Sequence, residues 1–195
     1  MIRTLESKFN LDAWSDGQTQ SKLWLSRELE KLWSSDDSHI WIYGSWYGTL
    51  AQILLCRERL SVKKFQLFDI DPHAVEVSKK LSLTWQIHRI AEFKFHLLDC
   101  LSISNSYISS KKPDFIINTS CEHFENYSWF KNLPAGQKFA IQSTNMTHAT
   151  HILKSENLNH FLEQLGPVTK IFFSGEFFFN YPENSFSRFM VIGQK

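Results

Sequence analysis

The chain has 195 residues, 43% hydrophobic and 21% charged, with a formal net charge of +1. That length suits one domain of the usual roughly 100–200 residues, and the near-zero charge leaves no global electrostatic footprint for nucleic acid. No run approaches the ~18 apolar residues of a membrane helix, and three cysteines make no disulfide framework, their odd count favouring a reducing, cytoplasmic compartment.

In chain order, Arg3, Glu6 and Lys8 come without an apolar stretch, so no signal peptide is expected. Leu25, Leu29, Leu32 and Trp33 form an apolar stripe that predicts a helix over 17–33. Ser34-Ser35-Asp36-Asp37-Ser38 is a polar break. Strand-like runs follow near 39–43, 64–69, 93–98, 114–118, 138–142, 168–174 and 187–192, and helical segments over 49–60, 72–83, 126–132 and 155–165. Pro72 suits a first helical position, and Gly166-Pro167 stops the segment before it. Strands alternating with helices predict a seven-stranded, mostly parallel α/β sheet with helices on both faces. No helix separates the last two strand runs, so they should form a C-terminal antiparallel hairpin. Residues 1–195 read as one domain, with 1–38 a helical cap and 39–195 the α/β core. The 17 phenylalanines and 7 tryptophans are expected mainly as a ring-rich core.

Within this pattern the stretch from His39 to Asp71 stands out. An apolar strand meets Gly44-Ser45-Trp46-Tyr47-Gly48, a helix follows, and a second strand ends at Phe68-Asp69-Ile70-Asp71-Pro72. Such a unit lets backbone approach a ligand at the turn, and an acid beyond the second strand can accept from two ribose hydroxyls. Phe95-His96-Leu97-Leu98-Asp99-Cys100 and Pro113-Asp114-Phe115-Ile116-Ile117-Asn118-Thr119-Ser120 then mark the ends of the third and fourth strands, and Leu133-Pro134-Ala135-Gly136 is the turn before the fifth. Taken together and in this order, the motifs resemble those of the class I S-adenosylmethionine-dependent methyltransferases, over residues 39–195. The resemblance implies a Rossmann-like methyltransferase fold and S-adenosylmethionine as cofactor. It departs at two positions: Ile42 stands where that family has an acid, and Trp46 where it has its middle glycine.

The resemblance implies a cofactor site built from Gly44, Ser45, Tyr47, Gly48, Asp69, Ile70, Asp99, Cys100, Asn118 and Ser120. Asp69 is the candidate for the ribose; Asp71 reads better as the cap of the helix that begins at Pro72. Asp99 is either an adenine contact or a turn-forming acid, and Ile70 either packs on adenine or belongs to the core. In the polar run Asn118-Thr119-Ser120-Cys121-Glu122-His123, Glu122 or His123 is the candidate general base; a helix cap with a solvated turn is the alternative. The run after the fifth strand supplies Asn145 and His148 as candidate substrate contacts. His148 and His151 could bind a metal with His123 or Glu122, but no second tight ligand pair accompanies them, and no metal is expected. Lys22 is a candidate partner for a methionyl carboxylate, and Trp14 or Trp24 for a sulfonium. Among the hairpin's rings, Glu176, Tyr181 and Arg188 are polar points, and core or dimer packing is the expected use of that region.

The expected activity is methyl transfer to a small-molecule acceptor, with nucleic acid disfavoured, no membrane partner and an oligomer left open. Two alternatives stand beside it: another S-adenosylmethionine-consuming reaction (aminocarboxypropyl transfer, cleavage or cyclisation), and a non-catalytic methyltransferase-like binding module. A nicotinamide enzyme fits less well, because Gly44 and Gly48 do not give the G-x-G-x-x-G spacing.

Overall fold

A computed structural model describes residues 9–33, 37–57, 59–182 and 185–195; Arg3, Glu6, Lys8 and residues 34–36 of the polar break lie outside them. Helix α1 (Asp16–Leu32) starts where the Ser15 hydroxyl accepts from the Gln18 N–H at 3.4 Å. Its stripe buries Leu25 and Leu29, whereas Leu32, at the last turn, is 42% exposed.

Strand β1 (Ser38–Tyr43) sends alternate side chains to opposite faces, as a pleated strand must. Ile40 and Ile42 join one apolar cluster with Leu25, Leu29, Leu50 and Leu54; Trp41 and Tyr43 join the other with Phe68, Trp129 and Phe139. Around it come α2 (Thr49–Leu55), β2 (Val62–Asp69), α3 (Pro72–Ile87), β3 (Glu92–Leu97), α4 (Asn105–Lys111) and β4 (Phe115–Asn118). Then follow α5 (Ser128–Lys131), β5 (Lys138–Thr144), α6 (Leu158–Leu165), β6 (Lys170–Asn180) and β7 (Ser185–Gln194).

The sheet order is β3-β2-β1-β4-β5-β7-β6, with β7 antiparallel to both neighbours and the other pairs parallel. This is the predicted architecture, hairpin included. Because β1 pairs with β2 on one side and β4 on the other, strand order reverses beside it. A crevice opens outside the strand ends at such a reversal, and that is where open α/β sheets hold ligands.

The differences from expectation are local. Helix α3 runs on to Ile87, and Asp71 caps it by accepting from the His73 N–H at 2.8 Å. Helix α6 begins at Leu158 rather than 155, because the Asn157 side chain caps it by accepting from the His160 N–H at 2.9 Å. The expected 126–132 helix is a single turn. Helix α4 carries three serines and one buried apolar residue, Ile108, so it shows little apolar period; Ser104 caps it. Strands β6 and β7 are longer than expected, pairing from Lys170 with Gln194 to Asn180 with Ser185.

Candidate functional site

The β1–α2 turn bends through three left-handed residues at alternate positions, Gly44 at φ +59°, Trp46 at +49° and Gly48 at +70°. Only glycine enters that region freely, so Trp46 carries a local strain of about 1 kcal/mol. At Gly48 a side chain is excluded twice, since a Cβ would lie 2.5 Å from Ser78 Oγ on α3. The turn is laced to the end of β2. The Ser45 N–H donates to the Phe68 carbonyl at 3.0 Å and the Trp46 N–H to Asp69 Oδ2 at 2.7 Å.

Beyond the carboxyl ends of the strands lies a cavity of about 760 Å3. Its walls contain Gly44, Asp69, Ile70, Asp99, Cys100, Ser120, His123 and His148 of the predicted residues. The strand order arranges them in sequence, Asp99 and Asp69 beyond β3 and β2 at one end, Ser120 and His123 beyond β4 toward the other. Asp69 Oδ1 also accepts from the Asp71 N–H at 3.0 Å. Burial pushes its carboxyl above the usual carboxylate range, against the pull of those backbone donors. Ile70 is not core: it is 72% exposed, and with Leu98 at 40% it gives the carboxylate end an apolar rim. Asp99 is both exposed to the cavity and the cap of a short 3-10 turn, accepting from the Leu101 N–H at 2.9 Å. Trp46 lines the cavity, which stays open beside it.

Six predicted residues are off the cavity wall. Ser45 is buried and acts through its backbone. Tyr47 is buried against Phe9, Trp14 and His73, and its hydroxyl accepts from the Asn10 N–H at 3.1 Å. Gly48 packs on α3. Asn118 is buried, accepting from the Ser120 N–H at 2.8 Å, with Nδ2 lacking a hydrogen-bond partner among the described residues. Asn145 is exposed and clamps the ends of β5 and β7, accepting from the Ser187 N–H at 2.8 Å. Glu122 is buried, and its Oε1 accepts from Arg188 Nη1 at 2.6 Å. A carboxylate so placed is an anchor for Arg188 and not a base standing free in the cavity. Cys100 lines the wall, but burial pushes its thiol up and out of the reactive range.

Several wall residues were not read as site residues. Arg188 is the chief one: its Nη1 also donates to the Thr119 carbonyl at 3.3 Å, and it lies on the cavity wall beyond β4. An arginine inside the apolar run Phe186-Ser187-Arg188-Phe189-Met190 was the available signal, since a charge there needs a partner. The first turn of α1 contributes Gly17 and Gln18. Behind Gln18, Lys22 is buried and donates to Gln18 Oε1; burial, then the neighbouring Arg188, hold its pKa down to about 7. Trp14 is stacked on Phe9, and Trp24 packs on Phe173 and Phe177 of β6.

The second half of the wall gathers histidines. His123 and His151 rings lie 4.9 Å apart and His148 and His151 5.3 Å apart. The segment that carries His148 and His151 is held down by two N–H groups, of Ile152 and Leu153, donating to the Glu122 carbonyl at 2.7 and 3.0 Å. No helix among the described residues is long and apolar enough to cross a membrane.

No protein-family model matches the chain, and no curated protein matches it by sequence. Solved structures do. The N-methyltransferase NodS from Bradyrhizobium japonicum WM9, in complex with S-adenosyl-L-homocysteine, aligns with a TM-score of 0.65 at 13% identity, over 97% of this chain and 93% of that one. The geranyl diphosphate C-methyltransferase from Streptomyces coelicolor A3(2) aligns at 0.63 and 8% identity, over 91% and 76%. The small RNA methyltransferase HEN1 gives 0.66 and 13%, over 97% of this chain but 27% of that one. What these proteins share with this chain is the architecture.

Proposed function

We propose that this chain, which has the class I methyltransferase fold, is an S-adenosylmethionine-dependent methyltransferase acting on a small-molecule acceptor in the cytoplasm, as one domain. The observation that carries the reading is that Asp69 and Asp99, from adjacent strands, line one cavity beside the Gly44–Gly48 turn. Asp69 accepts from the ribose hydroxyls and Asp99 from the adenine amino group, with Ile70 and Leu98 covering the adenine. Gly44 lets backbone approach the methionyl part, where Arg188, whose Nη1 is taken by Glu122 and the Thr119 carbonyl, has further N–H donors for a carboxylate.

In methyl transfer the positive charge on sulfur is lost as the new bond forms. The protein's main contribution is therefore alignment, for which roughly 7–11 kcal/mol is available in principle. The histidine-bearing half of the cavity is the acceptor end. An imidazole there can take the proton of a protonated acceptor.

The test is a thermal and calorimetric titration with S-adenosylhomocysteine, followed by product analysis with S-adenosylmethionine. Ligand at 100 times its dissociation constant should stabilise the protein by about 2.7 kcal/mol. Asp69→Ala should weaken binding at least tenfold. Absence of stabilisation overturns the proposal, and methylthioadenosine as product replaces methyl transfer with another use of the sulfonium.

A further inference from the structure

His123 and His151 share the cavity wall, and Glu122 lies buried behind them. A ring nitrogen of each histidine and a carboxylate oxygen of Glu122 lie within 4.8 Å of one another. Ligands about 2.1 Å from a common cation are at most roughly 4.2 Å apart, so small side-chain rotations close the set.

The hydrogen bonds around the three decide which atoms remain free. His123 Nδ1 is 3.1 Å from the Thr150 carbonyl and His151 Nδ1 is 2.8 Å from the Met146 carbonyl. A carbonyl can only accept, so both Nδ1 atoms carry the hydrogen and both Nε2 lone pairs are available. Metal-bound histidines are held this way, their second ring N–H given to a carbonyl or carboxylate. Glu122 Oε1 is committed to Arg188, whereas Oε2 is buried with no hydrogen-bond partner among the described residues. A fully buried, unpartnered carboxylate oxygen is costly unless something positive meets it.

We propose that His123 Nε2, His151 Nε2 and Glu122 Oε2 form a divalent transition-metal site of the zinc class at the acceptor end of the cavity. Two imidazoles and one carboxylate leave at least one coordination position open, the arrangement of a catalytic rather than a structural ion. This replaces the expectation of no metal. The sequence offered His148 and His151 with His123 or Glu122; the set that meets is Glu122, His123 and His151, from two loops brought together by the bonds from Ile152 and Leu153 to the Glu122 carbonyl. His123 then serves as a ligand and not as a free base. That the ion would polarise an oxygen nucleophile of the acceptor rests on the methyl-transfer reading; metal binding does not.

The untagged full chain, dialysed against chelator, is titrated with ZnCl2 by calorimetry and with CoCl2 by visible absorption. One ion per chain and cobalt d–d bands are expected. His123→Ala and His151→Ala, at exposed and half-buried positions, should each weaken binding at least tenfold with unchanged circular dichroism. Glu122→Gln, which keeps the contact with Arg188, should do the same. Binding that survives the His123→Ala/His151→Ala pair, or no binding at micromolar metal, overturns the site. S-adenosylhomocysteine affinity, measured on the two single histidine variants, should stay within twofold, so failure of the metal site and failure of the cofactor reading are separable.

Discussion

At the scale of single residues the turn between β1 and α2 is held by backbone and packing together. Gly48 combines a left-handed backbone with a neighbour, Ser78 Oγ, where a Cβ would need to go. Gly48→Ala should destabilise by about 2–5 kcal/mol in urea titrations, the sum of backbone strain and overpacking. Adding Ser78→Ala should return the part of the overpacking due to its Oγ, leaving the backbone strain and the 3.1 Å approach to Leu67 Cδ1. The glycines were legible in the sequence, but the strained Trp46 was not, because only the fold shows that its backbone keeps the bend of the position it occupies. Lys22 is a second residue-scale feature. Its pKa falls from 10.5 to about 7 chiefly through burial. Between about pH 7 and 10.5 the unfolded chain therefore holds a proton there that the folded chain lacks, and stability rises with pH across that window. Lys22→Met should abolish that rise, and the variant should exceed the parent in stability at pH 7 and below. Denaturant titrations at pH 6.5, 8 and 9.5 give both slopes.

Among elements, the strands were the legible part, since β1 and β4 are continuous apolar runs that a sheet covered on both faces demands. Helices with weak apolar period were not. Helix α4 depends on Ser104, whose hydroxyl accepts from the Tyr107 N–H at 3.2 Å, and on Ile108, its buried contact. Ser104→Ala should cost about 1 kcal/mol and speed amide hydrogen exchange at Tyr107 and Ile108, with α6 unaffected. Helix α6 illustrates the opposite case: Phe161 and Leu165 are buried four residues apart, a period visible in the sequence. Its start was misjudged because Asn157, a cap, decides it.

At the scale of the whole molecule the decisive contact is Arg188 with Glu122, 66 residues apart and both buried. It joins β7 to the loop after β4, behind the cavity wall. In metal-free buffer Arg188→Met should cost about 3–5 kcal/mol, because it strands a buried carboxylate, and Arg188→Met/Glu122→Gln should recover most of that loss. A double variant as unstable as the single one would mean that the arginine stem, and not its charge, holds the site together. Neither partner announced the other in the sequence: Glu122 read as a base and Arg188 as a polar point in a hairpin.

The amino-acid sequence by itself determined the alternation of strands and helices, the terminal hairpin, the glycine-bounded turn and the acids at the ends of β2 and β3. Those are local properties, fixed by hydrophobic period, by capping chemistry and by the backbone freedom of glycine. Only the tertiary structure decided which polar residues meet. The pairing of Arg188 with Glu122, the gathering of His123 with His151 and the exposure of Ile70 depend on how distant segments pack, and no spacing along the chain encodes a distance across the sheet.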